Sequence, residues 1–174
     1  MKIVLIGYMG SGKTTIGKQL AKSLNYIFID LDQAIENEEQ QPISEIFSKK
    51  GEIYFRKLER KVLETILTSK PNIVLATGGG TPCFGDTMEY IKSVEDSTTI
   101  YIKTSNEVLT KRLLNENQKR PLIAHLDSKE LLNDFIRKHL FERSFYYNKS
   151  SIKVRSDVMS INELVQELKN KIFN

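Results

Sequence analysis

Apolar positions along this chain alternate between two rhythms, unbroken short runs and a helical stripe. Residues 2–6 open with a run, Ile3-Val4-Leu5-Ile6, suited to a strand buried on both faces. Ile16, Leu20 and Leu24 then recur at helical spacing. Tyr26-Ile27-Phe28-Ile29 reads as a second strand. Residues 44–50 read as a short helix ended by Gly51, and 52–69 as a longer one with Leu58, Val62, Leu63, Ile66 and Leu67 on its inner side. Ile73-Val74-Leu75-Ala76 is a third strand that ends at Gly78-Gly79-Gly80, and 98–102 a fourth. A helix through Val108, Leu109 and Leu113 follows, then a polar excursion over 115–128. A helix over 129–146, a fifth strand at 152–154 and an amphipathic helix through Ile161, Leu164, Val165, Leu168 and Ile172 close the chain. Strands alternating with helices predict an α/β domain whose parallel sheet is covered on both faces.

Composition narrows this picture. The 174 residues suffice for one domain, with 40% hydrophobic and 28% charged residues, enough to bury an ordinary core. No apolar run approaches the roughly 20 residues of a membrane span, and the first residues run into a glycine loop too soon to form a signal peptide. Cys83 is the single cysteine, which excludes an internal disulfide and a cysteine-rich zinc site. His125 and His139 form no metal-ligand spacing. These features predict a cytoplasmic protein in a reducing compartment. The net charge of +4 is scattered, without a Lys/Arg block, and gives no reason to expect nucleic acid. Lysines number 19 and arginines 7. Lysine is thus the default solubilising cation, and each arginine is a candidate for bidentate recognition of carboxylate or phosphate.

Gly7-Tyr8-Met9-Gly10-Ser11-Gly12-Lys13-Thr14 fits G-x-x-x-x-G-K-[ST] at every position and lies between a strand and a helix. In such a loop the backbone N–H groups around Gly10, Ser11 and Gly12, with Thr15 in the first helical turn, point at phosphate oxygens, and the helix dipole favours negative charge. Lys13 is placed for the β- and γ-phosphates and Thr14 for Mg²⁺. The guanine-reading N-K-x-D is absent, since Asn148-Lys149 continues as Ser150-Ser151. A long motor or multidomain ATPase does not fit the length. What remains is a small kinase that uses ATP and Mg²⁺ on a small acceptor.

Asp30-Leu31-Asp32 follows the second strand, at the sheet end where ligands bind. One acid can support Mg²⁺ through water while the other accepts a hydrogen bond from a substrate hydroxyl. The pair reads equally well as a helix cap at Asp32 plus a surface acid. Glu59, three residues beyond Arg56 on a helix, can hold that guanidinium. The triplet Gly78, Gly79 and Gly80 lets backbone approach a ligand closely. Arg120-Pro121-Leu122 lies in the polar excursion, and Arg143 late in an aromatic-rich helix.

Taken in order, G-Y-M-G-S-G-K-T, F-I-D-L-D, F-R-K-L-E, G-G-G, R-P-L and E-R-S-F-Y-Y resemble the shikimate kinase family over almost the whole chain. The resemblance implies a P-loop NTPase fold of the nucleoside-monophosphate-kinase type, with five parallel strands flanked by helices. It also implies an acceptor-binding region near 32–60, a mobile lid near 112–126 and a single kinase domain acting as a monomer. By that resemblance Asp32 holds the acceptor hydroxyls and is the candidate base, and Asp30 supports Mg²⁺ through water. Arg56 and Arg143 bind the shikimate carboxylate, with Glu59 orienting Arg56. Gly78, Gly79 and Gly80 approach the acceptor, Gly79 as the leading backbone donor. Arg120 meets the phosphates with the lid. Arg112 and the segment 155–160, including Arg155, are placed near the adenine, although Arg112 stands eight residues before R-P-L, further than the family pattern. Alternatives are a gluconate or nucleoside-monophosphate kinase of the same fold and a non-catalytic nucleotide-binding regulator. An intact Lys13, Thr14, Asp32 and Arg120 argue against the last.

Overall fold

A computed structural model describes residues 1–116 and 122–174. Five strands, β1 (Lys2–Ile6), β2 (Ile27–Asp30), β3 (Ile73–Ala76), β4 (Ser97–Lys103) and β5 (Ile152–Arg155), form one parallel sheet in the order β2-β3-β1-β4-β5. Successive side chains of β1 separate to opposite faces. Ile3 and Leu5 pack with Ile16 and Leu20 of α1 (Lys13–Leu24) and with Leu164, Val165 and Leu168 of α7 (Ile161–Phe173). Val4 and Ile6 join the larger cluster on the other face, which draws on α2 (Leu31–Glu39), α3 (Ile43–Ser69), α4 (Thr87–Ser93), α5 (Asn106–Leu114) and α6 (Lys129–Tyr147). This two-faced burial is why β1 reads as continuously apolar.

The strands fall within a residue or two of their expected positions. The helices expected on either side of Gly51 are both present. They join as α3 across Gly51, whose φ of 78° and ψ of 172° break the helix. Two elements have no apolar stripe long enough to announce them, α2 and the short α4, and a 3-10 turn at Thr81–Cys83 is likewise new. Asp30, not Asp32, caps α2: its carboxylate accepts from the Asp32 backbone N–H.

The polar excursion also needs correction. Ile123 is fully buried and Leu126 nearly so, both in the larger core, and the Leu126 N–H donates to the Ile123 carbonyl. Two apolar residues three apart in a tight turn suffice to anchor this end. Leu113 of α5, inside the expected lid, is buried as well. Arg120 and Pro121 lie outside the described residues. Among the described residues no helix is long and apolar enough to cross a membrane.

Candidate active site

Residues that follow β1, β2, β3 and β5 line one cleft of about 380 Å³ at the carboxyl edge of the sheet, where an open α/β sheet receives its ligands. The loop after β1 forms its floor. Gly12, at φ +96°, makes the turn into α1. Lys13 folds back over the loop, its Nζ donating to the carbonyls of Gly7 at 2.8 Å and Tyr8 at 2.9 Å. The loop is braced from behind by hydroxyls at the ends of β4 and β5. Ser156 Oγ donates to the Ser11 carbonyl at 3.1 Å and lies 2.6 Å from Thr104 Oγ1. From the α5 side Arg112 Nη1 donates to the Gly10 carbonyl at 3.0 Å. Gly10, Ser11, Gly12, Lys13, Thr14 and Thr15 all line the cleft.

At the mouth of the loop, Thr14 Oγ1 donates to Asp30 Oδ2 at 3.0 Å. A hydroxyl and two nearby carboxylates form a set of hard oxygen donors. Among the described residues no cluster of three or more His, Cys, Asp or Glu could cage a metal ion alone. This donor set fits Mg²⁺, which keeps most of its waters and is bound by one or two carboxylates together with substrate phosphates.

Asp32 stands in the first turn of α2 and lines the same cleft. The residue as a whole is solvent-exposed, while its carboxyl stands among Asp30, Glu59, Lys13 and the Gly78 backbone. Desolvation there raises its pKa to about 6, aided by the like charges of Asp30 and Glu59 and opposed by Lys13. A Cβ on Gly78 would stand 3.0 Å from Asp32 Oδ1, so the bare glycine backbone lies in tight contact with the carboxylate.

Arg56 is held from three sides on α3. Its Nη1 donates to Glu59 Oε2 at 2.8 Å, and Glu52 lies 3.4 Å from its Nε. A Cβ on Gly80 would meet Arg56 Nη2 at 2.9 Å, so the guanidinium lies flush against the glycine turn. Glu59 is 3% exposed, and its second oxygen accepts from Thr81 Oγ1 at 2.6 Å. The expected pairing of Glu59 with Arg56 is thus present, and Thr81 completes it. Phe84 and Phe55 place their rings 5.7 and 5.3 Å from the guanidinium.

Arg143 projects from α6 over the ring of Tyr8 at 5.7 Å. The Tyr147 hydroxyl donates to the Gly79 carbonyl at 2.6 Å. Cys83 sits half-buried nearby, its thiol pushed up to about 11 by burial and so protonated at neutral pH. The structure thus brings Lys13, Thr14, Asp30, Asp32, Gly78, Gly79 and Arg112 to one cleft, with Arg56 against Gly80 beside it. Arg155 is not brought in: it pairs with Asp157 at 3.3 Å and does not line the cleft, where Ser156, Met159 and Ile161 stand instead. Sequence reasoning missed Tyr8, Thr81, Thr104, His139 and Tyr147, while Ser156 falls in the segment 155–160 that it placed near the adenine. Thr104 and Ser156 each directly follow a strand, and Tyr147 lies four residues beyond Arg143; these positions were the available signals.

A phosphate loop facing a pocket of acid, arginine and bare backbone, on a doubly covered parallel sheet, defines a P-loop small-molecule kinase. Comparison with known proteins narrows the class. A family model described as Shikimate kinase matches residues 9–173. The chain is 46% identical to a shikimate kinase of Flavobacterium johnsoniae over 167 residues, 96% of each chain. It is 44% identical to one of Azobacteroides pseudotrichonymphae, covering 98% of this chain and 99% of the relative. The solved structure of shikimate kinase from Bacteroides thetaiotaomicron superposes with a TM-score of 0.90 at 37% identity, covering 98% and 97% of the two chains. That from Acinetobacter baumannii in complex with shikimate gives 0.86 at 31% identity, covering 98% and 92%. A gluconokinase from Sinorhizobium meliloti, at 0.55 and 16% identity, shares the fold alone. The chain belongs to the shikimate kinase family.

Proposed function

We infer that this chain is an ATP:shikimate 3-phosphotransferase, and that the roles below are divided among its residues as follows. The observation that carries the reading is the joining of a complete phosphate loop to an acceptor pocket of Asp32, Arg56 and the glycine turn, in a chain of this family. Shikimate is a carboxylate bearing three hydroxyls. A forked guanidinium suits the carboxylate and an ionised aspartate suits the hydroxyls.

Arg56, fixed by Glu59, grips the acceptor carboxylate together with Arg143. Asp32 orients the attacked hydroxyl and accepts its proton. With a pKa near 6 it is ionised at neutral pH yet more basic than an ordinary aspartate. Lys13 leaves its loop carbonyls to meet the β- and γ-phosphates, with N–H groups around Gly10 to Thr15 cradling them. Thr14 and, through water, Asp30 would hold Mg²⁺, which when bound would neutralise negative charge developing on the β- and γ-phosphates. Arg120, from its place in R-P-L, adds positive charge at the transferring group. Arg112 keeps the loop in shape and borders the nucleotide. The protein's contribution is positioning and charge neutralisation, as phosphoryl transfer requires.

We read the chain as one kinase domain with its acceptor region near 32–60, a cytoplasmic monomer with no nucleic-acid partner. Phosphorus NMR of the product tests the reaction: one new phosphomonoester, coupled to the proton on C3 of shikimate, is expected. Inorganic phosphate as the sole product, or a phosphoester elsewhere, would overturn it.

A further inference from the structure

Helix α6 carries His139, Arg143 and Tyr147 at four-residue spacing, and therefore on one face. Each meets a different part of the site. His139 Nδ1 shares a 3.2 Å hydrogen bond with the Tyr8 hydroxyl of the phosphate loop. Tyr147 donates to the Gly79 carbonyl of the glycine turn. Between them the Arg143 guanidinium lies over the Tyr8 ring and faces the Tyr147 hydroxyl. Phe135, one turn earlier, packs against the His139 imidazole with centroids 4.0 Å apart and the rings tilted at 46°. Tyr8 and Tyr147 are 1% and 0% exposed, so both rings are fixed by packing.

A long arginine side chain has many rotamers to lose, and its fork recognises a carboxylate well only when its plane is set. On α6 that plane is set by an aromatic face, and the hydroxyl of that ring is tied to His139. Burial and the Arg143 charge, opposed by Glu142, hold the imidazole below its ordinary pKa. At neutral pH it is therefore uncharged and adds no second cation beside the acceptor.

We propose that His139 is a positioning residue for the acceptor: through the Tyr8 hydroxyl it sets the face on which Arg143 rests, and so registers the carboxylate-binding arm against the phosphate loop. Tyr147 ties the same helix face to the glycine turn one turn later. The consequence is mechanical. In-line transfer needs a fixed distance between the acceptor's carboxylate end and the transferring phosphoryl group, and this contact links the two protein elements that hold them. The proposal rests on the reading of Arg143 as an acceptor-carboxylate arm.

Steady-state kinetics of His139→Leu, His139→Asn, Tyr8→Phe and the Leu/Phe double variant test it. His139→Leu should raise the KM for shikimate about five-fold, equivalent to about 1 kcal/mol, an ordinary hydrogen-bond contribution. The KM for ATP and kcat should stay within about two-fold, because an acceptor-only contact changes one constant. His139→Asn, whose amide can occupy the Nδ1 position, should restore most of the loss. The double variant should be no worse than His139→Leu, since both changes break one bond. An unchanged shikimate KM, equal rises in both KM values, or additive effects would overturn the proposal. Should the leucine variant fail to fold, Tyr8→Phe, which keeps the ring, carries the same expectation by itself. Arg143→Lys separates the two claims. If it leaves the shikimate KM unchanged, the reading of Arg143 fails; if it raises that KM while His139→Leu does not, only the positioning role fails.

Discussion

Replacing Glu59 by glutamine removes a charge from the point where the acceptor site is most tightly built. One carboxylate oxygen receives Arg56 Nη1 at 2.8 Å and the other receives Thr81 Oγ1 at 2.6 Å. Arg56 can only donate, whereas the Thr81 hydroxyl can turn to accept. A glutamine can therefore keep both contacts, its Oε1 accepting from Arg56 and its NH₂ donating to Thr81, and what it loses is the charge. With Glu59 3% exposed, water does not readily replace that charge beside Arg56. The expected destabilisation is about 1–2 kcal/mol, the difference between a charge-assisted and a neutral hydrogen bond. For a chain of this size that is a fall in Tm of roughly 2–8 °C, at about 2–4 °C per kcal/mol.

The same change acts on Asp32. Glu59 is one of the like charges that raise its pKa to about 6. Without it the carboxyl should titrate lower. A base must be ionised to work, so activity rises as pH passes upward through the Asp32 pKa. The acid limb of kcat/KM should therefore move to lower pH in Glu59→Gln, while the shikimate KM rises several-fold because Arg56 loses its charged anchor. Thermal melting by circular dichroism and a coupled ADP-release assay between pH 5 and 8 measure both effects. A variant with parental Tm, parental shikimate KM and an unmoved acid limb would refute the reasoning.

Further expectations are simpler. Lys13→Ala should lower kcat by roughly 10²–10³ without unfolding the protein, by analogy with other lost electrostatic donors; a near-normal kcat in the purified variant would contradict its role. Arg56→Lys keeps the charge but loses the fork, so the shikimate KM should rise while that for ATP changes little; equal changes in both would indicate a general structural part. Arg120→Ala should lower kcat far more than it weakens shikimate binding measured by calorimetry; a loss confined to affinity would place this arginine on the acceptor instead.

Much of this architecture was legible because its signals are local. A glycine loop between an apolar run and a helical stripe has one reading, and β1, β3 and α7 fall at their expected bounds. The site was legible where a motif carries its own spacing, as with Arg56 and Glu59, three apart on a helix. Failures have physical causes. The α2 cap fell on Asp30 instead of Asp32 because β2 runs one residue further than its apolar pattern, to Asp30. Arg155 was placed near the nucleotide by segment alone; it pairs with Asp157 two residues on, while Ser156 and Met159 of the same segment line the cleft. Ile123 and Leu126 were hidden in a polar stretch, where two side chains anchor a turn without any periodic stripe. The contacts of Tyr8 with His139, and of Gly79 with Tyr147, join residues 131 and 68 positions apart, and no local pattern encodes such a pairing.

The central claim, that this cleft phosphorylates shikimate, is tested most directly by kcat/KM for ADP release with shikimate, gluconate and nucleoside monophosphates as competing acceptors. With Mg²⁺ and ATP at saturation, shikimate should turn over at about 1–100 s⁻¹, the ordinary kinase range. It should exceed the other acceptors by at least about 10³ in kcat/KM, because a site built for a carboxylate and a diol leaves buried polar groups unpaired with the wrong partner. Faster turnover of gluconate or of a nucleoside monophosphate, or no turnover of shikimate by folded protein, would contradict the account.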